Sequence, residues 1–353
     1  MYIQTNPTIR LRPPSFYAGK LWVAENYFHK RRYALPPAAV LLLIGCMQPQ
    51  PAEEIISIIS EKLSLSKGNL HKLFDSLIEK ELLIDKLSDE TNWHEAIREQ
   101  WFERNWHEAA EYHLATYDYK FVGTSKEGLD EHQRRMENYS QATPDTNRSK
   151  RYDSTKQKIA MPLPSAKLID KKGQKSGELN KEKLVSLLTI TFSATRKVEI
   201  PWNGAPLLRK TSPSGGGRHP CEGYAIIIDV SGIDPGWYHI CSDPPELTLL
   251  EKLSDKDELL ELFPTTYGRA PFSVRAIVVI TCIFDRNMFR YREPRTFRTI
   301  HMDVGHLSAT LELLADAVSV NCYPQYAASE KKIEKKLGLN GLDEGFMMSL
   351  ALG

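Results

Sequence analysis

The sequence predicts an α+β protein in two parts, a small helical domain followed by a larger domain that mixes strands and helices. Three observations predict it. Apolar residues recur at helical spacing through much of the first hundred residues. The stretch from about 120 to 180 is crowded with charge and poor in apolar side chains. From about Leu184 onward, β-rich apolar runs alternate with an amphipathic helix.

The elements follow in order. "LPPAAVLLLIGC" places prolines at a helix start and continues as an apolar helix. "PAEEIISIISEKL" has Pro51 at its start, acids in its first turn, and a face of Ile55, Ile56, Ile58, Ile59 and Leu63. "SKGNLHKLFDSLIEKELLID" repeats the pattern with Leu70, Leu73, Phe74, Leu77 and Ile78. Three short helices followed by an extended "LLI" resemble a winged-helix unit. The third helix carries Lys67, His71, Lys72 and Lys80 but also Asp75, Glu79 and Glu81, a poor footprint for DNA, so a peptide-binding or structural role is expected. Domains are placed at 1–100 (winged-helix-like), 101–165 (a connecting segment, partly a mobile arm) and 166–353. The RSKR run, Arg148 to Arg151, reads as a solvated loop. "YAIIIDV" is a buried strand, "DPG" at Asp234–Gly236 a type II turn, and "WYHI" the return strand of a hairpin. "SVRAIVVITCIF" is another buried strand. "VGHLSATLELLADAVSV" is a helix with Leu307, Leu311, Leu314 and Val318 inward, and Ser308, Glu312, Asp316 and Ser319 outward. A short helix closed by Gly338 and a final strand "GFMMSLALG" end the reading.

The chain of 353 residues has a net charge of +1, which argues against a nucleic-acid partner. No apolar run is long enough to span a bilayer and the N-terminus has no secretory core, so no membrane and a cytoplasmic location are expected. Five cysteines without close spacing, and histidines without a ligand pattern, predict buried reduced thiols and no metal.

"SPSGGGRHP", Ser212 to Pro220, sets three glycines between two prolines. Glycine admits φ > 0 and close approach of another group, and such a loop turns successive N–H groups toward an anion or a carbonyl oxygen. "RKTSPSGGGRHPCEGYAIII" with "GIDPGWYHI", "YREPRTFRTIHMDVGHLSATLELLADAVSV", "LGLNGLDEGFMMSLALG" and, less closely, "NWHEAAEYHLATYDY" resemble the SagB/ThcOx-type flavin-dependent peptide azoline dehydrogenases of the nitroreductase-like superfamily. The resemblance covers roughly the last 170 residues.

It implies a nitroreductase-like FMN-binding domain with a central antiparallel or mixed sheet flanked by helices. It also implies a homodimer with FMN at the subunit interface, and a ribosomally made peptide substrate. A leader peptide and a cyclodehydratase or dehydratase partner are expected beside that substrate. Ser212, Pro213, Ser214, Gly215, Gly216, Gly217 and Arg218 would approach the flavin ring. Arg295 and Arg298 are phosphate candidates, or else surface ion pairs. His306, taken as opening its helix, meets flavin or substrate, or is a core histidine.

Two departures stand out. The family's arginine-rich phosphate motif should fall near "IDKKGQKSGELNKEKL", where only Lys171, Lys172 and Lys175 are offered. The family's Lys-Tyr pair is Arg290-Tyr291 here. Azoline oxidation needs a base, and arginine keeps its proton. Tyr291 then serves as base beside the Arg290 charge, or, neutral, as the proton donor of a reductase. The reactions in view are azoline oxidation, reduction of dehydroamino acids, and general NAD(P)H nitroreduction.

Overall fold

The computed structural model describes residues 2–14, 21–27, 29–85, 98–119, 123, 125–143, 148–153, 156–163, 178–199 and 206–353. The chain divides into two compact units, Met1–Lys120 and Phe121–Gly353.

The first unit is not helical from its start. Strand β1 (Tyr2–Thr5) is followed by a meander of β2 (Ile9–Arg12), β3 (Trp22–Asn26) and β4 (Arg31–Leu35), which the sequence reading passed over. The strands are only four or five residues long, too short to display a clear period-2 pattern. Helices α1 (Pro37–Gly45), α2 (Ala52–Leu63) and α3 (Lys67–Glu79) then form as their spacing predicts. Pro37 occupies the first turn of α1, and the Ser66 side chain caps α3 by accepting from the Asn69 N–H. Strands β5 (Gln50–Pro51) and β6 (Leu83–Ile84) flank β1 in a three-stranded sheet. Leu42, Leu43, Ile56, Leu70, Phe74 and Leu77 fill the core between these elements, whereas Ile58 and Leu63 face outward. Helix α4 (His107–Thr116) completes the unit.

The second unit begins where a mobile arm was expected. Helix α5 (Lys126–Ala142) forms there, capped by Ser125, with Met136 buried. The RSKR run is likewise no solvated loop. Arg148 and Ser149 are buried, and the Lys150 ammonium lies 2.7 Å from Glu344.

The body of the unit is a seven-stranded antiparallel sheet in the order β14-β15-β13-β10-β11-β12-β7. Its strands are β7 (Lys158–Ala160), β10 (Cys221–Ile227), β11 (Gly236–Ser242), β12 (Pro245–Lys252), β13 (Ala276–Ile283), β14 (Cys322–Gln325) and β15 (Glu344–Leu352). A separate two-stranded ribbon pairs β8 (Arg196–Val198) with β9 (Leu207–Arg209). Strands β10 and β13 read as unbroken apolar runs because both faces of the sheet are covered. Ala225, Ile227, Val278 and Ile280 point to one core, Tyr224, Ile226, Ile277 and Val279 to the other.

Helices α6 (Lys181–Phe192) and α9 (Thr296–Ala317) supply side chains to the first core; α7 (Glu258–Leu262) and α10 (Glu330–Leu337) supply the second. Each large aliphatic side chain removed from water contributes about 1.5–3 kcal/mol. Gly338, φ 71°, ends α10 in the left-handed region.

Two local readings are corrected. β10 and β11 pair as expected, but Gly236 opens β11, and the left-handed glycine of the connection is Gly232, φ 86°. Ser308 is buried rather than outward, its hydroxyl donating to Glu312 Oε1 at 2.8 Å. Four of the five cysteines are buried, Cys322 being partly open. Among the described residues no helix is long and apolar enough to cross a membrane.

Candidate active site

The glycine loop is built against α9. That helix begins at Thr296, earlier than the predicted start, because Phe297, Ile300, Val304, Leu307 and Leu311 continue its apolar period backward. His306 therefore lies well inside the helix rather than at its opening.

One stripe of the helix holds the loop at successive points. Thr310 Oγ1 accepts from the Ser212 hydroxyl at 2.8 Å. His306 Nδ1 lies 3.2 Å from the Pro213 carbonyl oxygen. Asp303 accepts from Ser214 Oγ at 2.6 Å and from the Gly215 N–H at 3.1 Å. Thr299 lies under Gly215, 3.5 Å from where a Cβ would stand. Burial pushes the Asp303 carboxyl above its ordinary range, and the two donated hydrogen bonds offset only part of that.

The loop does not present a row of free N–H groups. The Gly217 N–H donates to the Ser214 carbonyl, the Arg218 N–H to the Gly215 carbonyl, and the His219 N–H to Ser214 Oγ. Gly216 (φ 62°) and Gly217 (φ 64°) are both left-handed, and this tight turn closes those bonds on itself.

The close approach that requires glycine comes from the protein itself. A Cβ on Gly216 would overlap the Tyr291 hydroxyl and stand 3.0 Å from Arg290 Nη1. Arg290 Nη1 donates to the Gly216 carbonyl at 3.1 Å, and the Arg290 guanidinium lies 5.2 Å from the Tyr291 ring centroid. Gly216, Arg290 and Tyr291 thus converge. The Arg218 side chain is buried, donating through Nε to the Arg286 carbonyl and lying 5.1 Å from the Phe289 ring. Arg295 immediately precedes α9 and Arg298 lies in its first turn, both partly buried. Lys171, Lys172 and Lys175 lie outside the described residues.

Sequence reasoning missed the groups behind the loop. Arg286 joins buried Glu222 at 2.5 Å and donates to the His219 carbonyl at 3.0 Å, and the other Glu222 oxygen lies 2.9 Å from His239 Nε2. Burial pushes the Glu222 carboxyl up, but Arg286, His239 and Lys210 outweigh it and hold it well below the usual range. Helix α8 (Asp285–Met288), which contains Arg286, delivers Arg290 and Tyr291, the Tyr291 N–H donating to the Asn287 carbonyl at 2.9 Å. On the outer side, Arg290 Nη2 lies 3.0 Å from His132 Nε2 of α5, and Arg292 stacks 3.8 Å from the Tyr139 ring centroid. Burial and then the Arg290 charge lower the His132 pKa, so near neutral pH it accepts from the guanidinium.

Beyond Tyr291 opens an apolar cavity of about 690 Å³, with Phe284, Met288, Phe297, Ile300 and Leu342 in its walls. Such single partners, drawn from different strands and helices, leave no local pattern. The polar stripe Thr299, Asp303, His306 and Thr310 does, at helical spacing.

No protein-family model matches the chain. Over 179 residues, 50% of the chain, it is 32% identical to the "Trifolitoxin-processing protein TfxB" of Rhizobium leguminosarum bv. trifolii, of which the match covers 47%. Over 128 residues, 36% of the chain, it is 27% identical to "Putative nitroreductase MJ1384" of Methanocaldococcus jannaschii, of which 63% is covered. The chain thus spans less than two thirds of either relative. A solved "putative nitroreductase" from Anabaena variabilis is similar over 63% of this chain and 45% of that one, at TM-score 0.48 and 19% identity. In sequence, the chain resembles the SagB/ThcOx-type, nitroreductase-like peptide-modifying dehydrogenases.

Proposed function

We propose that the second unit is an FMN-dependent oxidoreductase that modifies a ribosomally made peptide, with oxidation of azolines to azoles as the leading reaction. The observation that carries this reading is the convergence of the two family-like blocks on one spot, where the Tyr291 hydroxyl and the Arg290 guanidinium meet the Gly216 turn. The names of the two sequence relatives, a toxin-processing protein and a nitroreductase, support the same class.

The donor set suits a flavin mononucleotide. Arg295 and Arg298 offer guanidinium forks for its phosphate, and Lys210, whose charge is drawn to buried Glu222, lies at the loop. Bound FMN would supply the hydride acceptor. The chain's own groups do the rest. Tyr291 handles the proton at the peptide Cα. Arg290 stays charged beside it, fixed between the Gly216 carbonyl and His132. The α9 stripe anchors the loop, and the apolar cavity lies beside Tyr291.

Arg290 also favours a second reading. Where a lysine could act as base, an arginine keeps its proton, so neutral Tyr291 would serve as the donor in reduction of a dehydroamino acid. A homodimer, a winged-helix-like first unit that handles the peptide or its leader, a cyclodehydratase or dehydratase partner and a cytoplasmic setting belong to the same proposal.

The test is purification with FMN, followed by turnover on a precursor peptide that already carries azolines or dehydroamino acids, in air as oxidant or with NAD(P)H as reductant, read by mass spectrometry. Loss of two hydrogens supports oxidation and gain of two supports reduction. A protein that stays colourless with added FMN overturns both.

A further inference from the structure

Helix α5 is short of apolar side chains, and Met136 is its one buried residue. His132, Met136 and Tyr139 share a face of it, at spacings of four and three. That face meets the segment that follows α8. His132 Nε2 is 3.0 Å from Arg290 Nη2, and the Arg292 guanidinium lies 3.8 Å from the Tyr139 ring centroid. A guanidinium only donates, so His132 Nε2 is unprotonated and accepts. Among the described residues the Arg290 guanidinium makes two hydrogen bonds, this one and the Nη1 bond to the Gly216 carbonyl. Its Nε is shut off from solvent and makes none. Two acceptors on separate elements, the glycine turn and α5, therefore aim the guanidinium over the Tyr291 ring, 5.2 Å from its centroid. The fork of an arginine reaches both at once.

We propose that His132 is a positioning residue: from outside the site it holds Arg290 in place, and through Arg290 it fixes the charge beside the Tyr291 hydroxyl. This rests on the functional reading above and adds to it a role for α5. Without the histidine the guanidinium keeps one anchor and can swing about the Gly216 carbonyl. With the histidine protonated the contact is worse than lost, since two cations would face each other at 3.0 Å. The charges that bear on His132 are Arg290 across the contact and Arg135 on its own helix, both positive. Arg135 in turn pairs with Glu131 and bears on partly buried Glu293. Burial first, then the two cations, lower the His132 pKa from its ordinary 6.5. The contact is therefore whole at neutral pH and is lost as pH falls through that lowered value.

The experiment follows the His132 imidazole by NMR in wild type and Arg290→Met. It also measures turnover against pH in wild type, His132→Gln, His132→Phe and Tyr139→Leu. Glutamine keeps an acceptor and cannot titrate, phenylalanine keeps the ring without an acceptor, and Tyr139→Leu loosens α5 at its other contact. The histidine is expected to titrate at higher pH in Arg290→Met than in wild type. Near neutral pH, His132→Gln should keep most of the turnover, whereas His132→Phe should lose about 10–100-fold in kcat with KM little changed. Wild type and Tyr139→Leu should both lose activity on acidification below 6.5, a limb that His132→Gln should lack. An imidazole that titrates alike with and without Arg290 overturns the inference and leaves the functional reading intact. So does an acid limb that survives in His132→Gln, or a wild-type kcat in His132→Phe. A Tyr139→Leu enzyme as slow as His132→Phe also overturns it, because helix docking rather than the acceptor would then matter. A wild-type protein that takes no FMN overturns the functional reading itself, and this inference with it.

Discussion

Replacing Gly216 with alanine tests the central contact without reference to any ligand. Gly216 is left-handed at φ 62°, and an alanine there is disfavoured by about 1–2 kcal/mol from backbone geometry alone. The new methyl would also overlap the Tyr291 hydroxyl, so that ring or the turn must move. Most of the second effect is relieved when the hydroxyl is removed, the ring carbon that carried it standing 3.1 Å from the methyl. Gly216→Ala should therefore be more destabilising in the wild type than in a Tyr291→Phe background, with a coupling of about 0.5–3 kcal/mol. Denaturant unfolding of the four proteins of the cycle reads it directly. Thermal unfolding gives a parallel readout, at about 2–4 °C per kcal/mol for a unit of this size. If Gly216→Ala destabilises both backgrounds equally, the hydroxyl does not sit over the turn, and the argument for why glycine is needed there fails.

Tyr291→Phe should keep FMN bound while lowering turnover on the true peptide by about 10²–10⁴-fold, measured as the rate of the two-hydrogen mass change. Arg286→Met should destabilise the second unit by about 3–5 kcal/mol because it strands buried Glu222, while Arg275→Met, at an exposed pair with Asp229, should change stability by about 0–1 kcal/mol; urea titration compares them. Glu222 has a depressed folded pKa, so its stabilising contribution is present above the ordinary value of 4.5 and is lost as pH falls toward the depressed one. Acid unfolding should accordingly flatten in Glu222→Gln. Asp303 has the opposite sign. Its raised folded pKa makes its charged form a liability above that pKa, so stability should fall as pH rises through the window from the ordinary value of 3.8 upward, a slope that Asp303→Asn should remove.

Much of the second unit could be read from sequence because its signals are local. The runs "YAIIIDV" and "AIVVITCIF" have a length and composition that suit strands buried on both faces, and the Leu307–Leu311 spacing belongs to a helix. The candidate site was legible as two sequence blocks, and the structure brings Gly216, Arg290 and Tyr291 of those blocks together. What was not legible depends on partners far apart in the chain. Helix α5 has so few apolar residues that its composition reads as unfolded; yet it forms, burying Met136 and setting His132 and Tyr139 against Arg290 and Arg292. The direction of the loop N–H groups is fixed by hydrogen bonds within the turn and to Asp303, which composition does not disclose.

The attachment of the loop to Thr299, Asp303, His306 and Thr310 makes α9 a ruler. At 1.5 Å per residue, the stretch from 299 to 310 extends about 16 Å, three turns of one stripe, and the loop is gauged against it point by point. Side chains along that stripe can be exchanged one at a time with graded effect. Length cannot be. A single residue inserted near 304 would turn the following part of the helix by about 100° and carry His306 and Thr310 away from the loop while Thr299 and Asp303 stayed in place. This segment of the chain should therefore drift in composition far more readily than in length.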